Sequence, residues 1–461
     1  MKCASSRSTS NSRHGAREVK CSSSRSRSAR RNRSQGRRGG CAHRDLGRRN
    51  RSPAVRRKRK RRKIDSRRAG TDRTERRRRR RHGEAPKHGE RPRQVVEHFQ
   101  WESGLRLGPE GRYVVERLLG DGVFGRVLGC RDRVSRDFVA IKVAGSAKRS
   151  QKQAQREADA LLQLERRDPG RYSRFCPRLL GTFMHADQGI CLVFQPLASS
   201  LQNVMKQCGD RGLFLTDVHA IARQLLAGLA FVHRSGLAHT DIKCTNVMLR
   251  DAEFEVVAHP RWPSPAEAPR MRRPCEAVLI DFGGAAVPPL PRGTDGAKPA
   301  VVGEERPGVR VGARQIRAPE VILGLDWDVL ADVWSLGCML AALYLGVRLF
   351  RVHGDAEHLA MIEHVLEVRV PPAMILRTSP RIASKGVAFD SAGRLDRPSP
   401  FLSHRDVEKI EGLPSLGAAI LPRHRTFYDF LRGLLAVDPA LRLGAEEALE
   451  TSFCAAAHVT E

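Results

Sequence analysis

The sequence predicts an α+β protein of two lobes. A small β-rich lobe spans residues 96–198 and a larger α-helical lobe spans 199–461, behind a basic tail over 1–95. Three observations carry this reading. Apolar alternation with a period of two comes first along the chain, and helical periodicity dominates later, an order that suits a sheet-rich lobe followed by a helical one. Charge sets the tail apart from both lobes. Residues 1–93 hold 36 Lys/Arg against 7 Asp/Glu, so almost all of the net charge of +33 lies in the first fifth of the 461 residues.

The tail has few apolar residues and almost no aromatics. It cannot bury enough surface to offset chain entropy and is expected to be disordered. Arg and Ser adjoin repeatedly, as in Ser24 to Ser28, Arg33-Ser34, Arg51-Ser52 and Ser66-Arg67, beside dense basic blocks at Arg56 to Lys63 and Arg76 to Arg81. Such blocks suit nuclear import and contact with RNA or other Arg/Ser-rich proteins. Eleven cysteines are scattered without CxxC pairs, which favours a reducing compartment over a disulfide framework or a zinc site. The N-terminus is polar and basic and lacks the apolar run of a signal peptide. The longest apolar stretch, around Cys338 to Val347, is shorter than the ~20 residues of a membrane helix, so no membrane contact is expected.

The elements follow in order. Tyr113 to Gly120 and Val127 to Val143 have strand character, interrupted by a glycine turn and by Asp132 and Arg133. Gln151 to Leu164 reads as a helix and Ile190 to Phe194 as a short strand. Asp217 to His233 reads as a helix with apolar positions at Val218, Ile221, Leu225, Leu229 and Val232. Residues 251–276, rich in Pro and charge, and 284–312, rich in Gly and Pro, read as loops. The second is longer than compact domains carry without a functional reason.

Five chemical signatures lie along these elements. The first is Gly120-Asp121-Gly122-Val123-Phe124-Gly125 with Val127 two residues on. Glycines lack a Cβ, so such a turn lets backbone lie close over phosphates. The second is Val139-Ala140-Ile141-Lys142, where an inward Lys in an apolar strand needs anionic partners. Glu157 is the expected helix partner, with Glu165 as the runner-up. The third is His239 to Asn246, in which Asp241 can accept and orient a substrate hydroxyl and Lys243 can reach a γ-phosphate. The fourth is Asp281-Phe282-Gly283; Asn246 and Asp281 together offer the oxygen donors that Mg²⁺ prefers. The fifth is Ala318-Pro319-Glu320. Any one is a weak signal, but their order and spacing point to a protein-kinase catalytic domain using ATP and Mg²⁺.

One further segment narrows the family. Residues 357–366 read Glu-His-Leu-Ala-Met-Ile-Glu-His-Val-Leu and resemble the EHLAMMERIL signature of the LAMMER, or CDC-like (CLK), dual-specificity kinases at seven of ten positions. The catalytic loop begins His239-Thr240-Asp241, a change this family shares, and Arg317 to Leu323 and Asp332 to Cys338 also match it. The resemblance covers about residues 96–455. It implies a bilobal kinase fold and transfer of phosphate to Ser/Thr of Arg/Ser-rich splicing factors. It further implies autophosphorylation that extends to Tyr, and residence in the nucleus. It implies that Phe194 is the gatekeeper, that Gln195 to Leu197 form the hinge to adenine, that Glu320 pairs with Arg442, and that Asp332 braces the catalytic loop. A monomer is expected, with the tail free to meet RNA and to serve as a substrate of its own chain.

The chain departs from the family at several points. Pro-Glu before the metal-binding Asn is Cys244-Thr245 here, and Ala313 replaces a Thr that bonds to the catalytic Asp and Lys. By the usual worth of one hydrogen bond, that loss removes on the order of 1 kcal/mol of ordering. The segment Gly283 to Arg317 holds one hydroxyl residue, Thr294, and no Tyr, and Thr240 removes an Arg that commonly clamps a loop phosphate. An active site ordered without loop phosphorylation is expected. The alternative class, a pseudokinase scaffold that binds RNA or Arg/Ser-rich proteins through its tail, rests on Ala313, Cys244 and Thr245.

Overall fold

Alternation along the third predicted strand explains how the small lobe is built. In Phe138–Ala144, Val139, Ile141 and Val143 are fully buried on one face, while Ala140, Lys142 and Ala144 point to the other. A strand covered on both faces lies at the centre of a sheet, and its Lys faces whatever packs on the second side. A computed structural model describes residues 99–461 apart from 123–124, 186–188, 252, 262–266, 272–275, 289–310 and 353. The tail over 1–95, the first residues of the small lobe, and Val123, Phe124 and Thr294 lie outside the described residues.

The strands β1 (Arg106–Leu107), β2 (Tyr113–Gly122), β3 (Gly125–Asp132) and β4 (Phe138–Ala144) follow one another, and helix α1 (Lys148–Arg167) comes next. The short helix α2 (Pro169–Phe175) precedes β5 (Leu179–His185) and β6 (Gly189–Phe194). They form an antiparallel sheet in the order β1-β2-β3-β4-β6-β5. Val115, Leu128, Cys130, Ile141, Val143, Cys191 and Val193 make a core on its outer face. On the other face lies α1, whose buried stripe is Ala154, Glu157, Ala158, Leu161 and Leu164. Leu161 and Leu164 are fully buried, each stabilising the docking by about 1.5–3 kcal/mol. Glu157 shares the stripe by its i, i+4 relation to Leu161 and is therefore carried to the sheet. The helix runs beyond Gln151 to Leu164, ending at Asp168, which is extended before Pro169 and caps α2 by accepting from the Arg171 N–H.

The second lobe begins with α3 (Leu201–Cys208) and α4 (Leu215–Arg234). Strands β7 (Val247–Leu249), β8 (Phe254–Ala258), β9 (Glu267–Met271) and β10 (Ala277–Leu279) follow. The remaining helices are α5 (Pro319–Ile322), α6 (Leu330–Leu345), α7 (Asp355–Leu366), α8 (Pro372–Leu376), α9 (His404–Glu411), α10 (Leu416–Ala419), α11 (Arg425–Leu434), α12 (Ala445–Glu450) and α13 (Ser452–Ala455). Helix α6 is apolar around most of its circumference and is the buried axis of the lobe. Helix α4 is long and apolar enough to cross a membrane by length and composition, yet 72% of that window is buried inside the fold.

One expectation is corrected. Residues 251–276 are not a plain loop, because β8 and β9 pair antiparallel from Phe254↔Met271 to Ala258↔Glu267. Pro269 stands opposite Val256 and is tolerated because a two-stranded ribbon has only edges. Most of the second expected loop, 284–312, lies outside the described residues; near its start Ala286 bridges to Ala238.

Candidate active site

Lys142 is a side chain that joins the lobes at the cleft. Its Nζ donates to Glu157 Oε2 at 2.6 Å and to Asp281 Oδ1 at 2.9 Å. The sheet, the helix on its inner face and a loop 139 residues downstream thus meet at one ammonium. Burial works against the charge, but the two carboxylates outweigh it and hold the Lys142 pKa above the ordinary lysine range. Burial likewise pushes the Asp281 carboxyl up, and Lys142 overrides it, so Asp281 titrates below the usual carboxylate range. Lys142 therefore takes Glu157, and Glu165 is not its partner.

Asp281 has φ +66° and ψ 64°, a left-handed conformation that is unusual for a non-glycine residue. Phe282 beside it is fully buried, with its ring 4.7 Å from that of His239. His239 Nε2 donates to the Ile280 carbonyl at 3.0 Å, and its Nδ1 accepts from the Asp241 N–H at 3.3 Å. A carbonyl can only accept, so the contacts select the Nε2–H tautomer.

The catalytic loop is held from below. Asp332 on α6 accepts from the His239 and Thr240 N–H groups, both at 2.7 Å, and lies 3.1 Å from His233 Nε2. Burial raises its pKa, but the His233 bond and the neighbouring imidazoles outweigh that and depress it. Thr240 also has positive φ, +69°, and its hydroxyl donates to the Gly284 carbonyl at 2.7 Å. The loop is thereby tied to the segment that begins at Asp281. At its mouth, Asn246 Nδ2 donates to the Asp241 carbonyl and to Asp241 Oδ2, each at 3.0 Å, and Lys243 donates to the same oxygen. Ala313 offers only a methyl beside Lys243.

The glycine turn separates two kinds of demand. At Gly125, with φ +157°, a Cβ would stand 2.2 Å from the Val143 carbonyl, so the chain itself requires glycine there. At Gly120 and Gly122 a Cβ would meet only ordinary contacts, at 3.8 Å and 3.5 Å. Packing does not require glycine at those two positions. Asp121 sits at the exposed end of the hairpin, paired with Arg126 at 3.2 Å rather than drawn to Lys142. Val127, Ala140 and Phe194 lie in one apolar cluster, with Ala140 opposite Phe194 across the β4–β6 ladder. Gln195 and Leu197 follow in the irregular link between the lobes, where the Gln195 N–H donates to Arg178 O at 3.2 Å.

Behind the cleft, Arg442 donates to both Glu320 oxygens at 2.8 Å and 2.9 Å, a buried bidentate pair. Two contributors escaped the sequence reading. Gln151 on α1 donates to Gly145 O at 2.6 Å and accepts from the Ile190 N–H at 2.8 Å, pinning the helix start to the sheet. Arg317 donates to the Val311 and Gly312 carbonyls and lies 4.0 Å from Asp355 at the start of α7. The helix with the family-specific segment therefore approaches the stretch before Glu320, which carries a 3-10 turn at Arg314–Ile316.

This geometry can be set beside known proteins. The protein kinase domain profile matches residues 113–454. The chain belongs to the protein kinases, of the CLK/AFC (LAMMER) type. It is 33% identical to serine/threonine-protein kinase AFC1 of Arabidopsis thaliana, over 79% of this chain and 74% of that one. It is 31% identical to dual specificity protein kinase CLK1 of Mus musculus, over 77% of this chain and 68% of that one. The solved kinase domain of PF14_0431 superposes with a TM-score of 0.68 at 32% identity, covering 78% of this chain and 99% of that chain. The chain is thus a serine/threonine, dual-specificity-type kinase whose fold uses ATP and a divalent metal. The scaffold alternative has no support in these matches.

Proposed function

We propose that this kinase transfers the γ-phosphate of ATP to Ser and Thr of Arg/Ser-rich splicing factors in the nucleus, with Mg²⁺ as its metal and Tyr modified only in autophosphorylation. The observation that carries the catalytic part is the meeting of Glu157, Lys142 and Asp281 within 2.9 Å contacts. Val123 and Phe124 complete the proposed nucleotide turn with Gly120, Asp121, Gly122 and Gly125. Asp281 and the side-chain oxygen of Asn246 are hard donors that fit Mg²⁺, whose charge would offset that on the transferring phosphoryl group. Asp241 orients the acceptor hydroxyl and takes its proton, with Lys243 and Asn246 fixing the carboxylate. Lys142, held by Glu157, positions phosphate oxygens, and Val127, Ala140, Phe194, Gln195 and Leu197 bound the adenine space. The family resemblance and the Arg/Ser texture of the tail support the substrate class, and the basic blocks support the nucleus.

The test is transfer of labelled phosphate to an Arg/Ser peptide and to the same peptide with its arginines replaced by alanine, using the native chain and Asp281→Ala. The reading predicts transfer by the native chain, preference for the Arg/Ser peptide, and loss of signal in the variant. Equal signals from both proteins would refute the catalytic assignment, and equal use of both peptides would refute the substrate class.

A further inference from the structure

A cavity of about 690 Å³ opens beside the catalytic loop, between α3, residues 243–245, residues 313–316 and the turn after α6. Its charged lining is Lys206, Lys243, Arg348 and Arg351, and none of its lining residues is Asp or Glu. Lys206, Arg348 and Arg351 are exposed, and among the described residues no carboxylate pairs with them. Arg348 is near enough to the loop to act electrostatically on the Cys244 thiol. Beyond Asp241, which pairs with Lys243, the loop supplies no counter-charge: Thr245 stands where the family carries Glu, and Ala313 adds only a methyl to the lining.

The cavity is continuous with the reaction centre, since Lys243 both lines it and donates to Asp241. A peptide whose acceptor hydroxyl lies at Asp241 therefore places a flanking residue among these cations. Three cations without a carboxylate partner, Lys206, Arg348 and Arg351, repel an arginine and attract a phosphate dianion. We propose that this groove selects a phosphoserine near the acceptor residue, so that the kinase extends phosphorylation along a tract that already carries phosphate. The proposal rests on Asp241 as the acceptor-orienting residue and on the Arg/Ser substrate class. In an Arg/Ser tract the product of one transfer presents the recognised group for the next, as the spacing of Ser24, Ser26 and Ser28 illustrates.

The experiment measures steady-state kinetics with single-acceptor peptides that carry phosphoserine two to four residues before or after the acceptor, or none. Each peptide is made in an Arg/Ser and in a Gly/Ala background. Phosphoserine on one side is expected to lower KM about tenfold at low salt, the sum of several exposed charge contacts, and the gain should shrink as salt rises. Arg348→Glu with Arg351→Glu, and separately Lys206→Glu, should reduce that gain. A primed-to-unprimed ratio of one in both backgrounds, or a ratio unmoved by the charge reversals, overturns the groove. Absence of any preference for the Arg/Ser background instead strikes the substrate class and leaves the ratio readable. Fluorescence anisotropy of the phosphopeptides on the same proteins needs no turnover; equal affinity for native and reversed chains overturns the proposal as well.

Discussion

A part-buried ammonium between two carboxylates is an arrangement that fails in a recognisable way when one member is removed. Lys142 keeps its charge because Glu157 and Asp281 surround it, and in the proposed mechanism it offers that charge to phosphate while Glu157 holds it in place. Lys142→Met should therefore lower kcat at least about 100-fold while thermal melting stays cooperative. Asp241→Asn removes the proton acceptor but keeps the shape of the loop. It should cost about 10²–10⁴-fold in kcat with little change in KM for ATP, read by initial-rate kinetics. A comparable fall in nucleotide affinity would show that Asp241 serves the nucleotide rather than the acceptor. These residues are legible in the sequence because reaction chemistry demands particular residue types at short, regular spacings. The Arg317–Asp355 approach was not legible, because it depends on the path of the chain between them rather than on any local pattern.

At the scale of elements, helices α4 and α6 and the pair behind the cleft hold the site. Glu320 and Arg442 are fully buried and mutually satisfied, so Glu320→Gln strands a guanidinium and should cost about 3–5 kcal/mol in a urea unfolding curve. Helix α4 carries a different liability. Burial pushes the Asp217 carboxyl up to about 7, against the Met271 N–H bond and the Arg270 charge, which pull it down. The folded state thus holds this proton up to a higher pH than the unfolded chain, whose Asp titrates near 4, roughly. Stability from this group is fully present below pH ~4 and is lost as pH rises toward 7. Asp217→Asn should accordingly raise the melting free energy by on the order of 2 kcal/mol at pH 7.5, with the gain vanishing near pH 4. A gain independent of pH would exclude the carboxyl as its source. The β8–β9 hairpin shows why one element escaped the sequence reading. Its short Val256-Val257 core is flanked by Pro and charge, and composition outweighed the strand signal.

At the scale of the whole molecule, charge and catalysis are divided along the chain. The basic tail accounts for nearly all of the net charge of +33, while the proposed reaction residues Lys142, Glu157 and Asp281 meet from both lobes. Deletion of residues 1–93 should leave transfer to a short peptide intact and abolish nuclear accumulation of a fluorescent fusion; unchanged nuclear signal would place the import determinant elsewhere. Phosphatase-treated protein should retain its activity, because Thr240 and the hydroxyl-poor segment before Arg317 supply no phosphate clamp. The convergence itself is tested most directly by nucleotide-induced stabilisation. The thermal midpoint is measured with ATP at about 100 times its Kd, with and without Mg²⁺, on the native chain and on Asp281→Ala. The native chain should gain up to about 2.7 kcal/mol that depends on Mg²⁺, and the variant should lose the Mg²⁺-dependent part. The same Mg²⁺ dependence in both proteins would contradict the assignment of Asp281 to the metal, and with it the meeting of the two lobes around the phosphates.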